Sequence, residues 1–216
     1  MTSHPKDFGE DVVEVMEKHR KICRLVHLPV QSGSDAVLKA MNRRYTSGKY
    51  LSEIELLKMR LPEAEVTTDI IVGFPGETEA DYLATEELVK KADFASAFTF
   101  VFSPRSGTKA ASMEGQISED VQKDRIMRLV ELVNSLTRKK SEKYVGRTVE
   151  ILCEDYDEKK GLYLGRDEFG RMGYFGSERN VVGEFVEVKI TRANGISLYG
   201  ESAAEKENET KEENGI

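Results

Sequence analysis

The sequence predicts an α/β chain: parallel βα units first, then a small five-stranded antiparallel β-barrel. Three observations carry that expectation. Helical and extended patterns alternate from Asp7 to Tyr144; three of the extended runs end in polar or glycine turns; beyond Val145-Gly146, short β runs with glycine turns replace the alternation. Buried strands separated by helices pair in parallel, because each crossover helix covers the sheet.

In residues 11–19, Val12, Val15 and Met16 have helical spacing. A strand over 25–30 follows. Residues 35–42 read as a short helix with Ala36, Val37, Ala40 and Met41 on one side and Ser34 as its N-cap. Residues 48–61 form a second helix whose Tyr50, Leu51, Ile54, Leu57 and Leu61 face the core. Residues 65–72, rich in Val, Ile and Thr, suit a strand. Thr78 caps a helix running to about Lys91, and early acids favour its dipole. Residues 94–102 form an uncharged aromatic strand, and 103–116 a loop. The long helix from Ser118 carries Val121, Ile126, Leu129, Val130, Val133 and Leu136 on one face and ends in a basic cluster.

Five short β runs follow, at 148–153, 161–166, 171–175, 183–192 and 196–200. Val149, Ile151 and Cys153 alternate with polar positions, as do Val186, Val188 and Ile190. Such a pattern suits a closed or nearly closed barrel. The expected domains are 1–144, 145–201 and an acidic disordered tail at 202–216.

The chain is 39% hydrophobic and 33% charged, which places it among polar globular proteins. Residues 201–216 hold six acids against two lysines, yet without them the net charge of -7 still does not turn basic. Strong electrostatic binding of nucleic acid by the whole surface is therefore not expected. No apolar run approaches bilayer length and no leader pattern opens the chain, so the cytoplasm is the expected compartment, with no membrane partner. Cys23 and Cys153 are isolated and fit no metal-ligand spacing; both are expected to pack as small hydrophobes.

The strand ends are the candidate site, since ligands of parallel α/β folds bind there. Gln31-Ser32-Gly33-Ser34 offers donors and acceptors for a ribose or amino-acid head group, or simply a capped helix start. Gly73-Phe74-Pro75-Gly76-Glu77 is either a close-approach turn over a ligand or an ordinary strand–helix turn. His27 reads as a structural, hydrogen-bonded histidine. In the barrel, Arg147, Lys159, Lys160, Arg166 and Arg171 interleave with aromatic residues, as RNA-binding barrels do, but acids match them in number.

Residues 2–7 (TSHPKD), 27–34 (HLPVQSGS), 41–46 (MNRRYT), 68–79 (TDIIVGFPGETE) and 102–110 (FSPRSGTKA) occur in one order. In that order they resemble the radical-SAM methylthiotransferase family, of the MiaB-type, tRNA 2-methylthio-adenosine branch. The resemblance implies the C-terminal part of a partial TIM-type radical-SAM barrel followed by an OB-like TRAM domain. It further implies transfer of a methylthio group to C2 of an isopentenylated adenosine beside the tRNA anticodon. S-adenosylmethionine and [4Fe–4S] clusters are the implied cofactors, and the anticodon stem-loop the implied partner. By the same resemblance, Gln31, Ser32, Gly33, Asp69 and residues Gly73, Phe74, Pro75, Gly76 and Glu77 serve S-adenosylmethionine. Arg43, Ser103 and Arg105 line the mouth where the adenosine enters.

The family's C-x-x-x-C-x-x-C motif is absent. A low-potential cluster needs thiolates that Cys23 and Cys153 cannot supply. The expectation is thus a piece of an enzyme, silent alone and partnered by a missing N-terminal half. Alternatives are the sister activities on threonylcarbamoyl-adenosine or a ribosomal-protein aspartate, and a stand-alone RNA-binding module.

Overall fold

The computed structural model describes residues 3–203. The chain divides into two compact units, Met1–Leu136 and Thr137–Ile216. Among the described residues no helix is long and apolar enough to cross a membrane.

In the first unit the elements are α1 (Glu10–Lys18), β1 (Leu25–His27), α2 (Asp35–Ala40), α3 (Ser47–Arg60), β2 (Glu65–Val72), α4 (Glu79–Ala92) and β3 (Ser96–Val101). A further helix, α5 (Glu119–Glu142), starts in this unit. The three strands form one parallel sheet in the order β1-β2-β3, with Val26 opposite Val66 and Ile70 opposite Thr99. Val66, Thr68, Ile70 and Val72 are buried in alternation along β2, and Val66, Ile70 and Val72 share a core with Tyr50, Leu57, Tyr82 and Leu129 from the helices. The opposite face of the sheet is more open: Phe98 is 58% and Phe100 50% exposed.

The expected strand over 25–30 keeps ladder geometry only to His27. Pro29 has no N–H to give, so the ladder breaks there. Thr68 fills the gap: its hydroxyl donates to the Leu28 carbonyl and accepts from the Val30 N–H, each at 2.9 Å. The chain then rejoins β2 through Gln31, which bridges Ile70 with a positive φ of 70°. Because Thr68 is fully buried, Thr68→Val leaves the Val30 N–H unpaired and removes one of two donors from the Leu28 carbonyl, which the Tyr50 hydroxyl also reaches at 2.7 Å. A loss of about 2 kcal/mol in urea unfolding is expected; an unchanged midpoint would contradict this account.

Helix starts follow their local chemistry. The Ser34 hydroxyl accepts from the Val37 N–H at 3.3 Å, and Thr78 forms a reciprocal capping box with Asp81. Burial favours the neutral form of Asp81, but hydrogen bonds from Ser34 and Thr78 outweigh it and hold the carboxyl below its usual range.

Three expectations are corrected. Cys23 is exposed, whereas Cys153 is buried as expected. On α5, Leu129 and Val133 are buried, but Val121 and Val130 stay 39% and 38% exposed, because the covered stripe is narrower than the apolar one. The acidic tail expected from 202 begins later, since Ser202 is a buried residue of the last strand. Residues 204–216 of that tail lie outside the described residues.

The second unit is a closed five-stranded barrel of β4 (Thr148–Asp157), β5 (Leu162–Arg166), β6 (Met172–Gly176), β7 (Phe185–Asn194) and β8 (Ser197–Ser202). Their order is β4-β5-β6-β8-β7. All pairings are antiparallel except β6 with β8, the parallel contact that closes the ring. Ile151, Cys153, Phe175, Val186, Val188, Ile190 and Leu198 fill the interior. The alternation in β4 and β7 points inward as the sequence indicates.

Candidate functional site

A cavity of about 550 Å³ opens at the strand ends of the first unit. Lys39, Met41, Asn42 and Arg43 reach it from the end of α2 and the turn after it. Ile71 closes β2 beneath it, and Phe74 stands in the turn beyond. Phe102, Lys109 and Met113 approach from the segment after β3. The wall thus combines three cations, two aromatic rings and two thioethers, with no carboxylate. Arg43 Nε is buried without a hydrogen-bond partner, so that guanidinium has spare donor capacity.

The turn over residues 73–77 is built as a unit. Gly73 has φ 76° and its N–H donates to the Glu77 carboxylate. A side chain at Gly73 would place Cβ 2.5 Å from Gln122 Cγ, so Gln122 of α5 occupies that space. Gln122 Nε2 also donates to the Gly73 carbonyl at 3.2 Å. Glu77 and Arg125 are both buried and pair at 3.2 Å, and the same Arg125 nitrogen donates to the Glu77 carbonyl at 3.1 Å. Burial pushes the Glu77 carboxyl above its usual range, opposed by the Gly73 N–H and by Arg125. Phe74 meets Phe102 edge to face, with centroids 5.0 Å apart. The start of α5 therefore fixes the turn that presents Phe74 to the cavity.

Of the residues singled out from the sequence, Phe74 and Arg43 line the cavity. Gln31 instead pairs with β2, its N–H donating to the Asp69 carbonyl, while Ser32 and Gly33 lie against α4. Gly33 N–H donates to Thr85 Oγ1 at 2.9 Å, and Ser32 is buried beside the same hydroxyl. Asp69 lies on the open sheet face, 3.5 Å from His27 Nε2, while His27 Nδ1 contacts Thr67 Oγ1 at 2.9 Å. Pro75 and Gly76 complete the turn, where Gly76 N–H donates to the Gly115 carbonyl at 2.8 Å. Ser103 and Arg105 are exposed and do not line this cavity. Sequence reasoning missed Lys39, Phe102, Lys109 and Met113; Phe102 and Lys109 stand inside the 102–110 motif and were its available signal.

The residues present do not fit an iron–sulfur cluster. Among the described residues no group of three or more His, Cys, Asp or Glu could hold a metal. The two cysteines lie in different units.

In the second unit the expected RNA-binding cations differ in how free they are. Arg166 pairs with Glu154 at 3.2 Å. Arg171 is buried, pairs with Asp167 at 2.8 Å and lies over the rings of Tyr144 and Phe169. Arg147 lies over Tyr144, Lys159 is exposed, and Lys160 sits 4.0 Å above the centre of the Tyr174 ring.

Known proteins share both units. Residues 1–89 match the Radical SAM superfamily and residues 142–202 match the TRAM domain. The fold resembles that of coproporphyrinogen III oxidase from Escherichia coli, described as a radical SAM enzyme, with a TM-score of 0.53 at 14% identity. That likeness covers 87% of this chain and 45% of the oxidase. The class is therefore a radical-SAM βα segment joined to a TRAM barrel.

Within that class the chain is similar to tRNA-modifying synthases. It is 48% identical over 204 residues to the tRNA-2-methylthio-N(6)-dimethylallyladenosine synthase of Clostridium botulinum (strain Langeland), covering 93% of this chain and 45% of the relative. The synthases of Clostridium tetani and Caldicellulosiruptor saccharolyticus are 46% and 43% identical, with 93% of this chain and 45% and 43% of the relatives covered. The chain spans about half the length of the curated relatives it matches.

Proposed function

We propose that this chain is the portion of a cytoplasmic tRNA-modifying methylthiotransferase that receives the nucleoside and grips the RNA. Its substrate is an isopentenylated adenosine beside the anticodon, methylthiolated at C2. The observation that carries this reading is the strand-end cavity, cationic and aromatic at once, in a chain 48% identical to synthases named for that nucleoside.

Phe74, Phe102 and Ile71 give flat and apolar surfaces to a purine or an adenosyl group. Lys39, Arg43 and Lys109 supply positive charge for the phosphates on either side. S-adenosylmethionine supplies the methyl group and the radical chemistry; the iron–sulfur clusters are held by polypeptide other than this chain. On this reading the chain is inactive alone.

Reconstitution tests it. The chain is combined with the N-terminal half of a relative, iron, sulfide, S-adenosylmethionine and a reductant, and the tRNA nucleosides are read by mass spectrometry. The expected product is 2-methylthio-isopentenyl-adenosine from the pair and none from the chain alone. Modification of threonylcarbamoyl-adenosine, or of a ribosomal-protein aspartate, would overturn the substrate assignment.

A further inference from the structure

We infer that RNA meets the second unit along one outward row of side chains, Tyr174, Tyr199 and Arg192 with Lys160 at its end. Unpaired bases stack on the two tyrosines once the two cations leave the rings for phosphates. The inference rests on the RNA reading above and names its surface.

The row follows from the barrel's register. Tyr174 of β6 is the partner of Tyr199 of β8, and Tyr199 is the partner of Arg192 of β7. Their neighbours Phe175 and Leu198 point into the core, so the tyrosines point out. The two rings are 5.1 Å apart and only 15° from parallel. Arg192 sits 4.0 Å over the Tyr199 ring centre and Lys160 the same distance over Tyr174. A π-stack carrying a cation over each ring thus runs across three strands.

A bulge builds this arrangement. The register of β7 against β8 shifts between Ile190 and Arg192, which inserts Thr191 as an extra residue. Without that shift Thr191 would stand opposite Tyr199. Bulges re-aim side chains near functional surfaces; here one turns an arginine onto an aromatic pair.

Charge selects the occupant. In the barrel acids outnumber bases, so attraction to phosphate must be local. Arg166, Arg171 and Arg179 are neutralised by Glu154, Asp167 and Glu184. Among the described residues Arg192 has no carboxylate partner, and its contact is the Tyr199 ring. Lys160 shares its charge between Asp157 at 3.4 Å and Tyr174. Near-parallel rings flanked by cations match unpaired bases on a phosphate backbone, where stacking and charge act together. An acidic peptide would use the cations and leave the rings idle.

The test uses the full chain and a labelled RNA stem-loop, with the paired duplex and polyglutamate as competitors. The loop RNA is expected to bind and to outcompete both. The double variant Tyr174→Leu/Tyr199→Leu should bind about 10- to 100-fold more weakly, and Tyr174→Phe/Tyr199→Phe within about twofold of the natural chain. Arg192→Gln should weaken binding about fivefold and lower the salt slope by about 0.7, whereas Arg166→Gln should do neither. If the leucine variant does not fold, the phenylalanine and arginine variants decide. A leucine variant or Arg192→Gln that folds and binds as the natural chain does would overturn the row while leaving the RNA reading standing. Absence of RNA binding by the natural chain, or equal competition by polyglutamate, would overturn both.

Discussion

Gly33→Ala is expected to lower the stability of the first unit by about 3 kcal/mol. A Cβ at this position would sit 2.5 Å from the Ala84 carbonyl oxygen and from Thr85 Cα, both backbone atoms of α4. Backbone held in a helix cannot swing aside as a long side chain can, so the strand end and the helix must separate. Separation also costs the hydrogen bond from Gly33 N–H to Thr85 Oγ1. The matched control is Gly48→Ala in α3, where nothing lies within 4 Å of the new Cβ and alanine favours the helix. Urea unfolding should separate the two, with Gly33→Ala well below the natural chain and Gly48→Ala equal to it or up to about 1 kcal/mol above. Equal midpoints for both variants would show that the loop over residues 31–34 does not pack on α4 this closely. The result also bears on the site, because Gly33 then owes its place to helix packing, and any ligand contact at Gln31 or Ser32 depends on that packing.

The parts of this fold legible in the sequence are those decided by near neighbours. β2 spans Glu65–Val72 as its Val, Ile and Thr content indicates, since alternate burial of β-branched residues needs no distant information. The start of α4 at Thr78 is equally local, a cap and an acid three residues apart. The inward alternation of Ile151 and Cys153 against Val186, Val188 and Ile190 reads directly as one barrel wall. What was hidden depends on partners remote in sequence. Val121 and Val130 share the apolar spacing of Leu129, and only the width of the surface below α5 decides which are covered. The cavity draws Lys39 from α2, Phe74 from the turn after β2 and Lys109 from the segment after β3, and no periodicity links them. Arg171 looks like a surface cation until Asp167, Tyr144 and Phe169 close around it. The Tyr174–Tyr199 pair requires a parallel register between strands that are not consecutive, together with a bulge, and neither leaves a local mark.

Arg125→Met is expected to destabilise the first unit by about 3–5 kcal/mol at neutral pH, because it strands a carboxylate in the interior. Glu77 keeps only the Gly73 N–H once the guanidinium is gone. The loss should depend on pH, and its sign follows from the carboxyl. Burial holds Glu77 above the ordinary value of 4.5 in the folded chain. A raised folded value means that the stabilising contribution is complete below the unfolded value and disappears as pH rises through the folded one. Arg125 lowers the folded value, so its removal raises it further and widens the window over which stability falls. The gap between natural chain and variant should therefore be smaller near about pH 5 and larger near about pH 8. Adding Glu77→Gln to Arg125→Met removes the buried charge and should recover most of the loss at the higher pH while leaving little pH dependence. A deficit that is flat with pH, or a double variant no better than Arg125→Met alone, would show that packing rather than charge is what Arg125 supplies. If the charge account holds, the turn presenting Phe74 is set by a residue 48 positions further along the chain, and loosening Arg125 should disorder one wall of the cavity without altering any residue that lines it.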